Sequence, residues 1–160
     1  MVNYVLLPPL FYSTFTTKLK RNFSHLIQQL STPTVWLVDD DDDDQLFIRS
    51  AFRDGQPPIS VLTLSDGDEL LPKLRECIEL PRLILLDVNM PRKNGFETLK
   101  ELRDTPAFAD LPVIMLTTSS DDEDRKRSIA LGANHFLTKP LTHEQLRQLA
   151  QELIHQWELS

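Results

Sequence analysis

The chain has 160 residues, of which 41% are hydrophobic, and a formal net charge of −7 at pH 7. This length suits one compact domain with its own core and leaves no room for a second full domain. The surplus of carboxylates argues against a nucleic-acid-binding protein, because neutralising phosphates requires clustered Lys and Arg. Cations and basic partners are favoured instead.

Residues 1–33 form a distinct N-terminal arm, with three basic residues and no acidic residue. Its apolar start lacks a basic segment, is interrupted by Pro8 and Pro9, and is too short to span a bilayer. We therefore expect neither a signal peptide nor contact with a membrane. Residues 15–30 place apolar side chains at helical spacing, which predicts an added helix in an arm that is partly helical or disordered. A start codon further downstream, which would make part of the arm non-native, is an alternative.

From Thr34 onward, short apolar runs alternate with amphipathic segments of helical period, a pattern typical of βα units around a parallel sheet. Near-continuous apolar runs favour strands that are covered by helices on both faces. The fold predicted is a five-stranded, doubly wound α/β sheet. Its strands are predicted at 34–38, 59–64, 82–87, 112–117 and 134–138, and its helices at 43–53, 67–79, 95–103, 121–131 and 142–157. Asp66 and Thr142 are candidate N-caps, and Gly132 stands where a helix end favours a left-handed residue.

Polar residues follow several of these strands, where a doubly wound sheet binds its ligands. The first strand is followed by Asp39 and Asp40, the third ends in Asp87, the fourth ends in Thr117, and Lys139 follows the fifth. Three carboxylates at one edge repel each other unless a cation lies between them. Mg²⁺ fits that need, because it takes oxygen ligands from one or two carboxylates and completes its shell with water or phosphate.

Two motifs resemble those of the receiver domain of two-component response regulators. LLDVNMPRKNGFE (85–97) is similar to the family's D-x-x-M-P-x-x-x-G-x-E segment around the phosphoaccepting aspartate, and FLTKP (136–140) resembles its closing lysine-proline motif. The resemblance covers residues 34–157 and implies a receiver domain at 34–160. It also implies a CheY-like, flavodoxin-like (βα)5 fold with strand order 2-1-3-4-5.

The resemblance implies a role for each residue at the strand ends. Asp87 would accept the phosphoryl group, and Asp39, Asp40, Asp87 and the backbone carbonyl of Asn89 would hold Mg²⁺. Lys139 would supply a second cation and Thr117 a hydroxyl to the phosphoryl group. The movement of Thr117 would open space into which Phe136 turns, the family's switch. The Lys139–Pro140 bond is expected to be cis, which would orient the lysine inward.

Further residues would tune the reaction. Thr118 is larger than the Ala or Gly often found at its place in the family, which predicts narrower access and slower phosphorylation. Asn89 and Ser119 would flank the path by which water reaches the acyl phosphate, and so set its lifetime. Of the six consecutive aspartates, Asp41 is expected in a turn and 42–44 at the N-cap or in the first turn of a helix, where negative charge is favourable. The run lacks the alternating ligands, central Gly and distal Glu of a calcium-binding EF-hand.

The function predicted is a single-domain response regulator that accepts phosphate on Asp87 in a Mg²⁺-dependent phosphorelay. Its donor would be a sensor histidine kinase or a histidine phosphotransfer protein, and its output a downstream protein target, because only three residues follow Trp157. It would catalyse only its own phosphorylation and dephosphorylation, and would form a homodimer, if any, through the fourth helix, fifth strand and fifth helix. The single cysteine, Cys77, excludes an intramolecular disulfide and favours a reducing, cytoplasmic location.

Two other functions stay open from the sequence. A haloacid-dehalogenase-type phosphatase also uses an aspartyl phosphate, a Thr or Ser, a Lys and Mg²⁺. It is disfavoured because Asn89 replaces the second Asp of its opening motif, and because the acid pair precedes the nucleophile. A degenerate receiver that acts only as a scaffold is the other alternative.

Overall fold

The computed structural model describes residues 34–118 and 120–159, which form one five-stranded parallel sheet flanked by helices. The strand order is β2-β1-β3-β4-β5, which confirms the predicted doubly wound fold and its 2-1-3-4-5 order. The strands are β1 (Val35–Val38), β2 (Val61–Leu64), β3 (Leu83–Leu86), β4 (Val113–Thr117) and β5 (His135–Thr138). The arm predicted at 1–33 lies outside the described residues.

Five α-helices cover the two faces of the sheet. They are α1 (Asp42–Arg53), α2 (Leu70–Glu76), α3 (Gly95–Asp104), α4 (Asp122–Ala130) and α5 (His143–Gln156). Alternate residues of β1, such as Trp36 and Leu37, enter different apolar clusters because successive strand side chains point to opposite faces. Residues of α2 and α3 pack in one cluster, and residues of α1 and α5 in the other. Burial on both faces explains why β1 and β3 are wholly apolar and why β4 is apolar up to Thr117, its last residue.

Three element boundaries differ from the sequence prediction by more than one residue: the start of β2 and both ends of α2, which stops at Glu76 instead of residue 79 because Cys77 has an extended backbone. The helix predicted at 67–79 begins as a 3₁₀ turn, Gly67–Glu69, and becomes α-helical only at Leu70. Pro72 has no N–H to donate to the carbonyl four residues earlier, so an α-helical first turn starting at residue 67 would lack that bond. The strand predicted at 59–64 begins at Val61, because the Ile59 N–H donates to the Phe52 carbonyl at 3.0 Å.

Helix ends follow the predicted capping residues. The side chain of Asp66 accepts from the Asp68 N–H, that of Thr142 accepts from the Gln145 N–H, and Gly132 has a φ of 96°. Asp41, expected in a turn, is itself the N-cap of α1, since its carboxylate accepts from the N–H groups of Asp43 and Asp44. Among residues 34–118 and 120–159, no helix has the length and apolar character needed to cross a membrane.

Candidate functional site

Three acidic side chains meet beyond the carboxyl ends of β1 and β3, which are neighbours in the sheet. The register of β1 and β3 pairs Val38 with Leu86, so the next residues, Asp39 and Asp87, lie side by side. The Asp87 N–H donates to the Val38 carbonyl at 2.9 Å, which continues the ladder beyond β3. Carboxylate oxygens of Asp39, Asp40 and Asp87 all lie within 4.8 Å of one another. Asp39 and Asp87 are buried, whereas Asp40 is exposed, so the cluster opens to solvent on one side.

Lys139 brings one positive charge into this cluster from the β5 side. Its N–H donates to the Thr117 carbonyl at 2.7 Å, which fixes its backbone one residue beyond β5. Its Nζ lies 2.6 Å from Asp39 Oδ2 and 3.6 Å from Asp87 Oδ1. The expectation of a cis Lys139–Pro140 bond is wrong, because in the described part of the chain the cis bond is Gln56–Pro57. The four-carbon side chain of Lys139 reaches the carboxylates from a trans peptide.

Burial and mutual repulsion shape the ionisation of these groups. Burial raises the pKa of Asp87 to about 6; Lys139 opposes that rise and the charges of Asp39 and Asp40 add to it. Burial likewise raises the pKa of Asp39 above its usual range, although Lys139 opposes the rise. For Lys139 burial would lower the pKa, but hydrogen bonds to Asp39 and Asp44 raise it instead, so the ammonium stays charged. The cluster therefore holds more carboxylates than its one ammonium can neutralise.

The same cluster fits a divalent metal ion. Its donors are all oxygen atoms, the type that Mg²⁺ and Mn²⁺ favour. Among the described residues, the ammonium of Lys139 is the one partner of the buried Asp39 Oδ2. One ammonium cannot offset the charge of three carboxylates held this close together, and a cation between the three aspartates would neutralise the remainder. Asn89 is exposed two residues beyond Asp87, and its carbonyl as a further ligand stays a prediction.

The remaining predicted residues lie on or beside β4 and β5. Thr117 is fully buried and is paired across the ladder with Thr138, the residue before Lys139. Phe136 is 3% exposed, with the guanidinium of Arg125 5.1 Å from its ring centroid. The ring that was expected to turn inward therefore already lies inward in this structure. Thr118 is exposed and Pro140, which follows Lys139, is half-buried, while Ser119 lies outside the described residues.

Asp66 was predicted only as a helix cap, but the structure gives it a second contact. Its buried carboxylate also accepts the N–H groups of Arg92 and Lys93, at 3.2 and 3.1 Å. Although burial opposes the change, these backbone hydrogen bonds lower the pKa of Asp66. Asp66 thereby ties the end of β2 to the loop that leaves Asp87. A polar residue at the end of an apolar run was the available sequence signal.

Gly95 allows this loop to fold back on the end of β3. Its N–H donates to the Val88 carbonyl at 2.9 Å. A Cβ atom at this position would collide with the backbone oxygen of Asp87 and crowd Met115 Cε. The glycine of the LLDVNMPRKNGFE motif is thus required by close backbone approach.

The chain belongs to the response regulator receiver domain family, whose model matches residues 35–151. It is 30% identical over 135 residues to the probable methanogenesis regulatory protein FilR2 of Methanothrix harundinacea, which covers 77% of this chain and 82% of that protein. Longer curated relatives match over only 34% or 45% of their own length, so the likeness concerns part of those proteins.

Solved structures give the same result. The phosphorylated cyanobacterial phytochrome response regulator RcpA superposes with a TM-score of 0.73 at 32% identity, over 80% of this chain and 95% of that one. The Mn²⁺-bound form of response regulator Rcp1 has a TM-score of 0.68 at 30% identity, over 78% and 94%. Receiver domains are signalling proteins that interact with histidine kinases and with downstream targets. The cluster of Asp39, Asp40 and Asp87 can hold the divalent metal that this family binds.

Proposed function

We propose that this chain is a response regulator receiver that takes a phosphoryl group from a histidine kinase, or from a histidine phosphotransfer protein, onto Asp87. The observation that carries the proposal is the joint placement of three carboxylates within 4.8 Å and an ammonium 3.6 Å from Asp87. Similarity to a phosphorylated response regulator and to a Mn²⁺-bound one supports both the modification and the metal. The output is contact with a downstream protein.

In the reaction, a carboxylate oxygen of Asp87 attacks the phosphorus of a phosphohistidine. The P–N bond breaks, the imidazole leaves, and an acyl phosphate forms on Asp87. Such transfers depend mainly on positioning and charge neutralisation. Asp39, Asp40, Asp87 and the Asn89 carbonyl would hold Mg²⁺, which when bound offsets charge on the phosphoryl oxygens.

The β4 and β5 residues would stabilise the product. Lys139 pairs with a phosphoryl oxygen, and the Thr117 hydroxyl donates to another. The surface formed by α4, β5 and α5, to which Phe136 belongs, would bind a target or a second copy of the chain. Because Phe136 is already buried before phosphorylation, the inward position of its ring would not by itself distinguish the two states. Effects of Thr118 on access, and of Asn89 and Ser119 on the lifetime of the acyl phosphate, stay predictions.

The test is phosphorylation by a small donor. The purified full chain is incubated with acetyl phosphate, with and without Mg²⁺, and its intact mass is recorded beside the variants Asp87→Asn and Asp43→Asn. We expect one added phosphoryl group that requires Mg²⁺ and Asp87 and persists in Asp43→Asn, whose side chain is exposed. Steady release of phosphate from many organic phosphates would instead indicate a phosphatase. Neither adduct nor turnover would indicate a scaffold.

A further inference from the structure

One carboxylate outside the predicted site contacts the same ammonium. Asp44 lies in the first turn of α1, and its Oδ2 is 2.7 Å from Lys139 Nζ. That distance is shorter than the 3.6 Å between Lys139 Nζ and Asp87 Oδ1. Before phosphorylation, Lys139 is therefore held more closely by α1 than by the residue that accepts the phosphoryl group.

We propose that Asp44 is a positioning residue that retains Lys139 on the α1 side of the site and so lowers the site's affinity for a phosphoryl group. This inference rests on the proposed function. We expect this contact to weaken when the phosphoryl group forms, because the acyl phosphate carries about −2 of charge where the Asp87 carboxylate carried −1, and it draws on the same ammonium. Asp44 and the phosphoryl group thus compete for Lys139.

The backbone of α1 fixes Asp44 in this position. The Asp44 N–H donates to Asp41 Oδ1 at 3.0 Å, and the Asp41 N–H donates to Asp39 Oδ1 at 3.0 Å. The Asp44 carboxylate therefore faces the site from a helix start that is itself tied to a buried aspartate of the cluster. The neighbouring side chains of Asp42 and Asp43 are exposed.

Among the carboxylates around Lys139, Asp44 is the one that can lose the contact most easily. Its side chain is 36% exposed, against 1% for Asp39 and 7% for Asp87. Water can solvate Asp44 when the lysine leaves, whereas a buried carboxylate left without a partner is strongly destabilising. The Lys139–Asp44 contact is thus the one that a phosphoryl group would break.

The test compares the affinity of five proteins for beryllofluoride, a phosphoryl analogue, at saturating Mg²⁺, measured by titration calorimetry. Asp44→Asn keeps the shape of the side chain and removes its charge. We expect it to bind beryllofluoride about 3- to 10-fold more tightly than the wild type, a size usual for directly coupled residues. Asp43→Asn removes the same charge from the neighbouring residue, whose side chain is exposed. We expect it to change the affinity for beryllofluoride by less than about twofold.

The fourth protein, Lys139→Met with Asp44→Asn, is compared with the fifth, Lys139→Met alone. If Asp44 acts through Lys139, the gain from Asp44→Asn disappears in this background. A gain that persists there overturns the inference, because simple repulsion of the anion would then explain it. Equal effects of Asp44→Asn and Asp43→Asn also overturn it, and that comparison needs no lysine variant to fold. A wild type that does not bind beryllofluoride would overturn the proposed function as well.

Discussion

At the scale of single residues, Asp87 combines a functional role with a cost to stability. Its pKa in the folded protein is raised to about 6, mainly by burial, so the folded state holds its proton more tightly than the unfolded chain does. The free energy of unfolding therefore falls as pH rises from about 4 to about 6, and above that range ionisation of Asp87 lowers it no further. Below pH 4, Asp87 is protonated in both the folded and the unfolded state, so it does not lower the free energy of unfolding.

We accordingly predict that Asp87→Asn stabilises the metal-free protein at pH 7 by about 1–3 kcal/mol, the amount that a shift of this size implies. The gain should vanish near pH 4. Urea unfolding at both pH values, in the presence of a chelator, measures it, with Asp43→Asn as the exposed control. An Asp87→Asn protein less stable than the wild type at pH 7 would show that the ion pair with Lys139 outweighs burial.

At the scale of elements, the loop between β3 and α3 depends on Asp66 at the end of β2. Its two carboxylate oxygens accept three backbone N–H groups, from Asp68, Arg92 and Lys93. An asparagine at this position would direct an N–H₂ group toward one of these donors. We predict that Asp66→Asn lowers the free energy of unfolding by about 1–3 kcal/mol, the usual effect of an unsatisfied buried donor.

The measurement is urea unfolding of Asp66→Asn beside Asp68→Asn, whose side chain is half exposed and pairs with Arg92 at the surface. Because its pKa is lowered in the folded state, Asp66 contributes stability above the usual aspartate pKa. That contribution is lost as pH falls through the lowered value. The difference between the two variants should therefore be largest at neutral pH. Equal destabilisation by both variants would contradict the prediction.

Elements with strong local signals could be predicted from the sequence. Strands buried on both faces are continuous apolar runs, and the polar residue that ends each run, such as Asp87 or Thr117, identifies the site edge. The apolar spacing predicts a helix from residue 67, but Pro72 disfavours an α-helical turn there and α2 begins at Leu70. The partner of Asp44 could not be predicted, since helical periodicity does not specify which aspartate in a run faces a lysine 95 residues away. The isomer of the Lys139–Pro140 peptide bond also could not be predicted from the sequence, because the cis and trans forms differ little in intrinsic free energy.

At the scale of the whole molecule, folding brings like charges together, so a divalent cation should stabilise the fold. A ligand that binds only the folded state adds about 2.7 kcal/mol at a concentration 100 times its dissociation constant. We predict that Mg²⁺ raises the melting temperature of the wild type and has little effect on Asp39→Asn. Asp43→Asn should respond as the wild type does. A uniform increase in all three proteins would indicate a general salt effect.

The position of each strand in the sheet gives its residues different mobility. β1 and β3, which precede Asp39 and Asp87, each have a neighbouring strand on both sides. In the part of the chain that the structure describes, β5, which precedes Lys139, is hydrogen-bonded to β4 alone. Local opening requires less free energy at a border strand than at the centre of a sheet. The positive charge of the site therefore follows a border strand of the sheet, and the buried negative charges follow strands inside it. A small displacement of β5 would move Lys139 and alter the electrostatic potential at the site, while Asp39 and Asp87 stay in place.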